Sequence, residues 1–469
     1  MLRWSLPWLA LAAYVILIAI MLPNRHWDPD EFEHAQAAWL IAQGLIPFVD
    51  FFEHHTPLWH LLAALPARLL GPAVTPDGPM AFLVGARLAS LAASLATVAL
   101  TWTLARRLAG RSAAAIAAAL LASASFFLLK GIEVRPDPLA MLGLITTSYA
   151  LTRATTSASH RWAVAAGIAC GLTVMASQKA ICAAPGLALG FLWLASGRLG
   201  PRAAIRRSML AAAAAFLAAL PVLGWFAAHD ALGAFLHHTV TVNLHWTRAQ
   251  EHMVWQHLAT MIRHDALLGL LAVLGAIGLA RHRQAALVLA PMVSLSIGAV
   301  ALPVVQEQYF LMALPYAAIT AGWAAVHIHR RLHSPLLRAC VTGFVLLLLA
   351  TTARNLHTAF YRNDAETRAK LAHLLATTPP DATVMAGWST GIAFRRPAWF
   401  YFFLHAEVQA HIPPQAYDAL AEALRGGQIQ PAVIDLDPAM SELPPAVLQA
   451  IHQQYEPSGV ATLLRRRAP

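Results

Sequence analysis

Apolar runs long enough to cross a lipid bilayer recur along most of the chain, and they constrain its fold more than any other feature. The sequence is 58% hydrophobic and only 12% charged, and its mean hydropathy is +0.56. Since a run of about 20 apolar residues spans the hydrocarbon core as a helix, the pattern predicts an α-helical polytopic membrane protein with about eleven transmembrane helices. The predicted spans lie at about 2–22, 81–105, 112–129, 138–152, 162–177, 180–197, 208–228, 265–280, 284–302, 309–327 and 336–353.

Arginine-rich loops between these runs predict the orientation of the chain. Five of them alternate with loops that are poorer in arginine and lysine, as the positive-inside rule requires. The first run has no small-x-small cleavage site, so we expect a retained helix with a cytoplasmic N-terminus. Eleven spans then place the C-terminal segment on the outer face. The basic loops contain Arg106, Arg107 and Arg111; Arg153 and Arg161; Arg198, Arg202, Arg206 and Arg207; Arg281 and Arg283; and Arg330, Arg331 and Arg338.

Charge and cysteine content argue against two other classes of protein. The formal net charge is +10, but the arginines lie between apolar runs and not along one face, so no nucleic-acid partner is expected. The three cysteines, Cys170, Cys182 and Cys340, show no paired spacing and lie in or beside apolar segments. We therefore expect them to be small core residues and not a disulfide framework.

The composition changes after about residue 354 to that of a small soluble domain. Helices are predicted at 363–376, 417–425 and 445–454, and strands at TVMAGW and AVIDL. This alternation predicts an extracytoplasmic α/β domain. The chain is therefore divided into a transmembrane domain at 1–353, which includes an outer loop at 23–72, and the α/β domain at 354–469.

The outer loop contains the densest group of acidic residues in the chain. Six of the 23 acidic residues lie between positions 27 and 57, with three histidines among them. Such a group beside the membrane is costly unless it is solvated or used, so it is a candidate functional site. The acids are Asp28, Asp30, Glu31, Glu33, Asp50 and Glu53, and the histidines are His34, His54 and His55.

Two short helices are predicted in this loop. Apolar spacing indicates an amphipathic interfacial helix from Asp30 to Ala42, ended by Gly44, and a short apolar helix from Pro57 to Leu70. Asp30 and Glu31 would then point about 100° apart. A partly desolvated carboxylate there can act as a general base toward a hydroxyl. The alternative is that Asp30 only caps the helix.

Several segments resemble one family of membrane enzymes. The Asp30-Glu31 pair after the first helix, followed by GLIPFVDFFEHHTPL, is similar to the polyprenyl-phosphate-dependent C-type (GT-C) glycosyltransferases. The likeness is to the branch that holds protein O-mannosyltransferases, aminoarabinose transferases and RgtA-like enzymes. Four later segments resemble the same branch in the same order: VRPDPLAMLG, MASQKAICAAPGLALG, QYFLMALPYAAI and FRRPAWFYF. The chain departs from the branch at Phe32-Glu33-His34, where many relatives place a tyrosine, and at Gln308, where a basic residue is common.

The resemblance implies a reaction and its substrates. The donor would be a sugar linked to polyprenyl phosphate, the acceptor an extracytoplasmic glycan, lipid or protein, and the anomeric carbon would be inverted. Asp30 matches the family's catalytic aspartate, and Glu31 stands beside it as the second catalytic candidate. We expect Asp50, Glu53, His54, His55 and Asp137 to contact substrate.

A phosphate leaving group also requires cations, and the cation-poor outer loops offer Lys130, Arg135 and Lys179. Each has a structural alternative. Lys179 could extend from a helix end to the membrane surface, Arg135 could pair locally with Glu133 or Asp137, and Lys130 could be an interfacial anchor. Two further arginines, Arg395 and Arg396, could contact the donor or form a solvated pair.

Histidine groups raise the question of a metal. His54 and His55 beside Asp50 and Glu53 are of the ligand types that bind divalent ions, but their spacing fits no standard site. Relatives in this branch are not thought to need a metal, so no cofactor is expected. Other histidines and tryptophans of the long outer loop are typical of membrane-belt residues, with acceptor recognition as the alternative: His237, His238, His245, His252, His257, Trp246 and Trp255.

Three functions fit these observations to different degrees. A glycosyltransferase at the outer face of the inner membrane uses both the acids and the cations. A transporter or flippase of lipid-linked sugars would place polar groups at mid-membrane and often shows repeated halves, which this chain does not show. A scaffold would leave the acid-rich loop without a purpose.

Overall fold

The chain, described here by a computed structural model, divides into two compact units. The helical unit consists of Met1–Arg25, Leu88–Gly224 and Gln250–Tyr361, and the mixed unit of His26–Arg87, Trp225–Ala249 and Arg362–Pro469. The structure describes residues 25–71, 78–245, 253–301, 307–336, 365–386, 394–438 and 440–467, with single positions between 12 and 22 and between 339 and 343.

Most of the described residues are helical. In chain order the α-helices are α1 Pro29–Ala42, α2 Leu58–Leu70, α3 Gly78–Ser123, α4 Ser125–Lys130, α5 Asp137–Ala154, α6 Arg161–Ala176, α7 Ala184–Leu199, α8 Pro201–Ala228, α9 Leu232–Leu236, α10 Met253–Leu279, α11 Ala286–Ala301, α12 Leu314–Arg331, α13 Ala365–Thr377, α14 Ala406–Gln409, α15 Pro414–Arg425 and α16 Pro445–Gln454. Short turns of 3₁₀ or π geometry lie at Gln178–Ala183, His237–Val242, Arg283–Ala285, Glu307–Ala313 and Met440–Glu442.

Five helical segments of the described chain are long and apolar enough to cross a membrane: Gly78–Ser123, Gln178–Leu199, Pro201–Ala228, Arg283–Ala301 and Gln308–Arg331. Two predicted spans, 81–105 and 112–129, lie largely in α3, which breaks at Gly110 where φ is +84°, a value that glycine adopts without strain. The predicted runs at 2–22 and 336–353 lie mostly outside the described residues, so the count of eleven spans stays a prediction.

Glycines at a four-residue spacing let α6 and α8 pack backbone to backbone. A Cβ on Gly167 would lie 2.1 Å from the carbonyl oxygen of Ala211, and one on Gly171 would lie 2.2 Å from that of Ala215. Between helices in a membrane, close packing of this kind replaces the hydrophobic effect as the source of association. Small residues at these positions therefore hold two helices of the helical unit together.

The first helix of the mixed unit corrects one prediction. The helix itself is confirmed, since α1 runs from Pro29 to Ala42 and is followed by Gly44 with φ +86°. Every residue from Glu31 to Leu40 is buried, however, on all sides of the helix. The predicted amphipathic character of α1 is therefore wrong, because its acids and histidines are buried along with its apolar residues; its position at the membrane interface stays a prediction.

The C-terminal part of the mixed unit carries a five-stranded sheet. Its strands are β1 Thr383–Met385, β2 Arg396–Pro397, β3 Val433–Asp435, β4 Tyr455–Pro457 and β5 Leu463–Arg466. The order is β2-β1-β3-β5-β4, with β1 parallel to both its neighbours and the β3–β5 and β5–β4 pairs antiparallel. The predicted strands at TVMAGW and AVIDL become β1 and β3, and the three predicted helices become α13, α15 and α16.

The α6–α8 contact predicts how the helical unit responds to one added methyl group. We expect Gly171→Ala to lower the free energy of unfolding by about 1–3 kcal/mol, because a backbone oxygen cannot move aside for the new Cβ. Gly224→Ala on α8 is the matched control, since no atom lies within 4 Å of a Cβ at that position. Thermal unfolding in detergent measures both, and equal midpoints for the two variants would contradict the account.

Candidate functional site

The start of α1 gives neighbouring acids different roles. The side chain of Asp28 accepts the backbone N–H of Asp30 at 3.1 Å, and Glu31 accepts the backbone N–H of Asp28 at 3.0 Å. This reciprocal pair is a capping box. Asp28 is therefore the capping residue, and the alternative that Asp30 only caps the helix is wrong. Asp30 lies half-buried on the first turn, where its carboxylate is not used by the cap.

Glu31 lies inside a buried ion pair. Its two carboxylate oxygens accept hydrogen bonds from Arg87 at 2.6 and 2.8 Å, and neither side chain is exposed. Arg87 also donates to the backbone oxygen of His26 at 3.0 Å and lies over the ring of Trp27 at 3.5 Å. A bidentate pair of this kind fixes the orientation of both groups. The geometry gives Glu31 a positioning role beside Asp30; sequence analysis missed Arg87, although an arginine inside an apolar run is itself a signal.

Glu53 is the centre of a second buried group in the mixed unit. Its Oε1 atom accepts the backbone N–H groups of His54 at 2.8 Å and His55 at 2.9 Å, and it lies 2.8 Å from the ring nitrogen Nδ1 of His55. The same ring nitrogen lies 4.0 Å from Glu33. The turn after Phe52 thus orients the carboxylate through one oxygen.

The other oxygen of Glu53 faces two histidines. Oε2 lies 3.5 Å from Nε2 of His60, and that nitrogen lies 3.0 Å from Nδ1 of His34. All three side chains are buried. His34 was noticed in the sequence as part of the acidic stretch, whereas His60 was missed because it sits alone in the apolar run of α2.

Burial and neighbouring charge set the protonation of this group. Burial lowers the pKa of His60 to about 4, against the opposing effect of Glu53, so the imidazole is neutral near pH 7. Burial alone would raise the pKa of Glu53, but the influence of His60 and the hydrogen bond from His55 outweigh it and hold that pKa below its usual range. The group therefore presents the ionised carboxylate of Glu53 beside the neutral imidazole of His60.

Asp50 and the outer-loop histidines stand apart from this geometry. The carboxylate of Asp50 accepts the backbone N–H of Ile46 at 2.6 Å and is exposed, so it closes a turn; its predicted substrate contact stays a prediction. His238 packs its ring 6.0 Å from that of Phe48, while His237 and His245 are exposed. Other members of that set lie outside the described side chains: Trp246, His252, Trp255 and His257.

The arginines of the C-terminal segment correct another expectation. Arg395 is buried and donates to the backbone oxygen of Thr378 at 2.8 Å and to its hydroxyl at 3.1 Å. It is therefore not half of a solvated pair, and its hydrogen bonds are structural. Arg396 is exposed on β2.

The helical unit gathers the predicted cations around two carboxylates. Glu133 pairs with Lys130 at 3.1 Å and with Arg135 at 2.6 Å, and it also receives a hydrogen bond from Arg25. All these groups lie near the N-terminus of α5, at the segment VRPDPLAMLG. The expectation of local pairing for Arg135 is confirmed, and Lys130 likewise has an acidic partner.

Asp137, the first residue of α5, joins the remaining cation to this group. It lies 3.0 Å from Arg135 Nε and 3.0 Å from Lys179 Nζ. The ammonium of Lys179 also lies 4.8 Å from the centre of the Tyr309 ring. Lys179 is thus held by an acid and an aromatic face.

We call this group, formed by Arg25, Lys130, Glu133, Arg135, Asp137 and Lys179, the cation cluster. It brings two guanidinium and two ammonium groups together around two carboxylates. Buried cations are costly unless they are paired, and partly buried cations bind anions more tightly than they would in water. The arrangement is therefore suited to a phosphate group, for which planar guanidinium and ammonium donors are the usual ligands.

An apolar groove lies within the helical unit. Its volume is about 800 Å³, and Cys182 is one of its lining residues. Its walls are formed mainly by α7 and α11, and they include Pro185, Leu189, Trp193, Val293 and Ile297. A groove of this composition accepts a hydrocarbon chain and not a polar ligand.

Comparison with known proteins relates this fold to one class of enzyme. A family model described as dolichyl-phosphate-mannose-protein mannosyltransferase matches residues 55–225. ArnT from Cupriavidus metallidurans bound to undecaprenyl phosphate is similar over 98% of this chain and 98% of its own, at 16% identity and a TM-score of 0.64. No curated protein matches the sequence at a significant level.

Oligosaccharyltransferases from Archaeoglobus fulgidus share the fold more distantly. One solved with zinc and sulfate matches 97% of this chain and 73% of its own, at 13% identity and a TM-score of 0.57. The oligosaccharyltransferase AglB in complex with an inhibitory peptide and a dolichol-phosphate matches 99% of this chain and 75% of its own, at 13% identity and a TM-score of 0.54.

The fold is therefore that of the C-type glycosyltransferases. The resemblance to polyprenyl-phosphate-dependent enzymes of this type, inferred from sequence segments, is confirmed.

The Glu31–Arg87 pair predicts a specific pattern of stabilities. Arg87→Met leaves the carboxylate of Glu31 buried without its cation, so we expect a loss of about 3–5 kcal/mol in the free energy of unfolding. Glu31→Gln in the same chain removes the orphaned charge and should restore part of that loss. Thermal unfolding of the two single variants and the double variant in detergent measures the coupling, and simple additivity would contradict the proposed ion pair.

Proposed function

We propose that the protein is an integral membrane glycosyltransferase that moves a sugar from a polyprenyl-phosphate donor to a hydroxyl of an extracytoplasmic acceptor. The observation that carries this proposal is the cation cluster, which holds two guanidinium and two ammonium groups, the usual ligands of a phosphate, close together. The fold supports the proposal, since ArnT of the same fold was solved with undecaprenyl phosphate and AglB with a dolichol-phosphate.

The proposed setting is the inner membrane, crossed about eleven times, with the N-terminus in the cytoplasm and residues 354–469 outside. Five long apolar helices and the alternation of arginine-rich loops support this topology. The number of spans and the side of the membrane on which each terminus lies are inferred from the sequence pattern.

The donor is proposed to bind through its phosphate and its hydrocarbon chain. Lys179, Arg135 and Lys130, with Arg25 as a fourth cation, would contact the phosphate oxygens and stabilise the charge that builds as the sugar leaves. Asp137, predicted as a substrate contact, is proposed to act indirectly by holding Arg135 and Lys179 in place. The first isoprene units would enter the apolar groove that Cys182 helps to line.

The reaction itself is an inverting displacement. The acceptor oxygen attacks the anomeric carbon, the bond from that carbon to the phosphate oxygen breaks, and polyprenyl phosphate leaves with both electrons of that bond. Asp30 takes the acceptor's hydroxyl proton as general base. Glu31, locked against Arg87, is proposed to position the helix turn that carries Asp30. No cofactor is required by these steps.

The acceptor is proposed to be lipid A or lipopolysaccharide, a polysaccharide, or a protein. Asp50, Glu53, His54 and His55 are proposed to lie along its path, as the family resemblance implies. A flippase of lipid-linked sugars, the alternative considered above, would bind the same donor but would leave the bond to the anomeric carbon intact. Bond cleavage therefore separates the two functions.

The test is Asp30→Asn in the full chain, reconstituted with a sugar-labelled polyprenyl phosphate and an envelope extract as acceptor. We expect the rate of sugar transfer to fall by about 10²–10⁴-fold, the usual contribution of a general base, while donor binding is retained. Asp418→Asn on α15 is the matched control, because that carboxylate is exposed and belongs to neither cluster.

Two results would contradict the proposal in different ways. Normal transfer by Asp30→Asn removes the catalytic assignment but leaves the enzyme class intact. Translocation of intact donor by the wild-type protein, with no cleavage, removes the enzyme class itself. Mass analysis of envelope glycans from cells that lack the protein then identifies the acceptor.

A further inference from the structure

His34, Glu53 and His60 form a buried contact that the proposed displacement step does not use. The three side chains are each no more than 2% exposed, and one ligand atom from each lies within 4.8 Å of the others. Buried polar groups are costly unless they have partners. The two imidazoles and the carboxylate therefore require a partner that interacts with all three.

Nε2 of His60 faces two possible hydrogen-bond partners, but it has only one proton or one lone pair to offer. Nε2 of His60 faces both Nδ1 of His34 at 3.0 Å and Oε2 of Glu53 at 3.5 Å. A neutral imidazole nitrogen either carries a proton or offers a lone pair, and it cannot do both. If Nε2 donates to Glu53 it has no lone pair for His34, and if it accepts from His34 then Glu53 receives no proton from it.

Two polar atoms of this group have no hydrogen-bond partner within the described part of the chain, as the competition at Nε2 of His60 leads us to expect. Among the described residues, Oε2 of Glu53 is buried and has no hydrogen-bond partner, and the same is true of Nδ1 of His60. Buried polar atoms are rarely left in that state. The carboxylate is nevertheless held firmly, because its other oxygen is fixed by His54 and His55. One oxygen is anchored and the other is presented to the two histidines.

The spacing fits a metal ion. Ligands at about 2.0–2.2 Å around a tetrahedral zinc ion lie about 3.3–3.5 Å from one another. Nε2 of His60 lies 3.0 Å from Nδ1 of His34 and 3.5 Å from Oε2 of Glu53, which is close to that range. Two imidazoles and one carboxylate form a His₂Glu donor set, which suits Zn²⁺ and leaves a fourth position for water or another ligand.

We infer that His34, Glu53 and His60 form a transition-metal site, of the class that zinc occupies, in the mixed unit. The ion would join α1 and α2 to the turn that carries Glu53. His55 supports the site from outside, because its ring contacts the oxygen of Glu53 that faces away from His60, as hydrogen-bonded partners of metal ligands commonly do. Sequence spacing could not show this site, since its ligands stand at positions 34, 53 and 60. The inference is independent of the proposed glycosyl transfer.

The test measures metal and not sugar transfer. The full chain, purified in detergent with a tag that contains no histidine, is stripped with EDTA, dialysed, and titrated with Co²⁺ and then with Zn²⁺. We expect about one Co²⁺ per chain, with visible absorption typical of a four-coordinate site, displaced by one equivalent of Zn²⁺. Zinc should also raise the midpoint of thermal unfolding of the stripped protein, because it binds only the folded site.

Variants assign the bound ion to these residues. His34→Gln and His60→Gln should each reduce zinc affinity by at least about tenfold, the lower end of what disturbing a metal's surroundings costs, and abolish the cobalt absorption. His229→Gln is the matched control, because His229 is exposed and bonds only its own helix at Trp225. If either ligand variant fails to fold, the wild-type titration still decides the question.

Either of two results would overturn the inference. In the first, the stripped wild-type protein binds no cobalt and gains no thermal stability from zinc. In the second, the cobalt absorption and the metal stoichiometry of His60→Gln equal those of His229→Gln. The second result would place the ion elsewhere among the chain's 22 histidines.

Discussion

The pairing of two buried carboxylates with four cations is the interaction on which the account of this protein depends. Glu133 and Asp137 allow Lys130, Arg135 and Lys179 to lie close together in a largely apolar helical unit, where each alone would be costly. Cations that acids hold close together in the folded protein are preorganised for an anion, and preorganised charge is usually the largest single contribution to catalysis.

The acidic residues of the outer loop have different structural roles. Asp28 caps α1, Glu31 holds Arg87, Glu53 faces His34 and His60, and Asp50 closes a turn. Each of these carboxylates has a role that can be read from its contacts. The proposal that Asp30 is the general base rests on the resemblance of the Asp30-Glu31 pair to the catalytic segment of the family.

Periodicity and composition predicted much of the fold because apolar length and helix period act locally. The helices at 29–42 and 58–70, the break at Gly110 and the strands β1 and β3 all follow from neighbouring residues. Burial of α1 could not be predicted, because acids and histidines look solvent-facing until the residues that satisfy them are known. Arg87, the partner of Glu31, lies in another helix among apolar neighbours, and so does His60, which faces Glu53. Arg25 was missed as a member of the cation cluster because its partner Glu133 lies 108 positions further along the chain.

Binding of a polyprenyl phosphate, compared with the same lipid without its phosphate, tests the central claim most directly. Native mass spectrometry of the full chain with undecaprenyl phosphate and with undecaprenol gives both affinities in one experiment, and Lys179→Met and the charge-conserving Lys179→Arg show the part played by the cluster. The account predicts that the phosphate lipid binds at least about tenfold more tightly, a difference of about 1.4 kcal/mol, and that Lys179→Met but not Lys179→Arg reduces the difference. Equal affinity for the two lipids, or an unchanged preference in Lys179→Met, would contradict it.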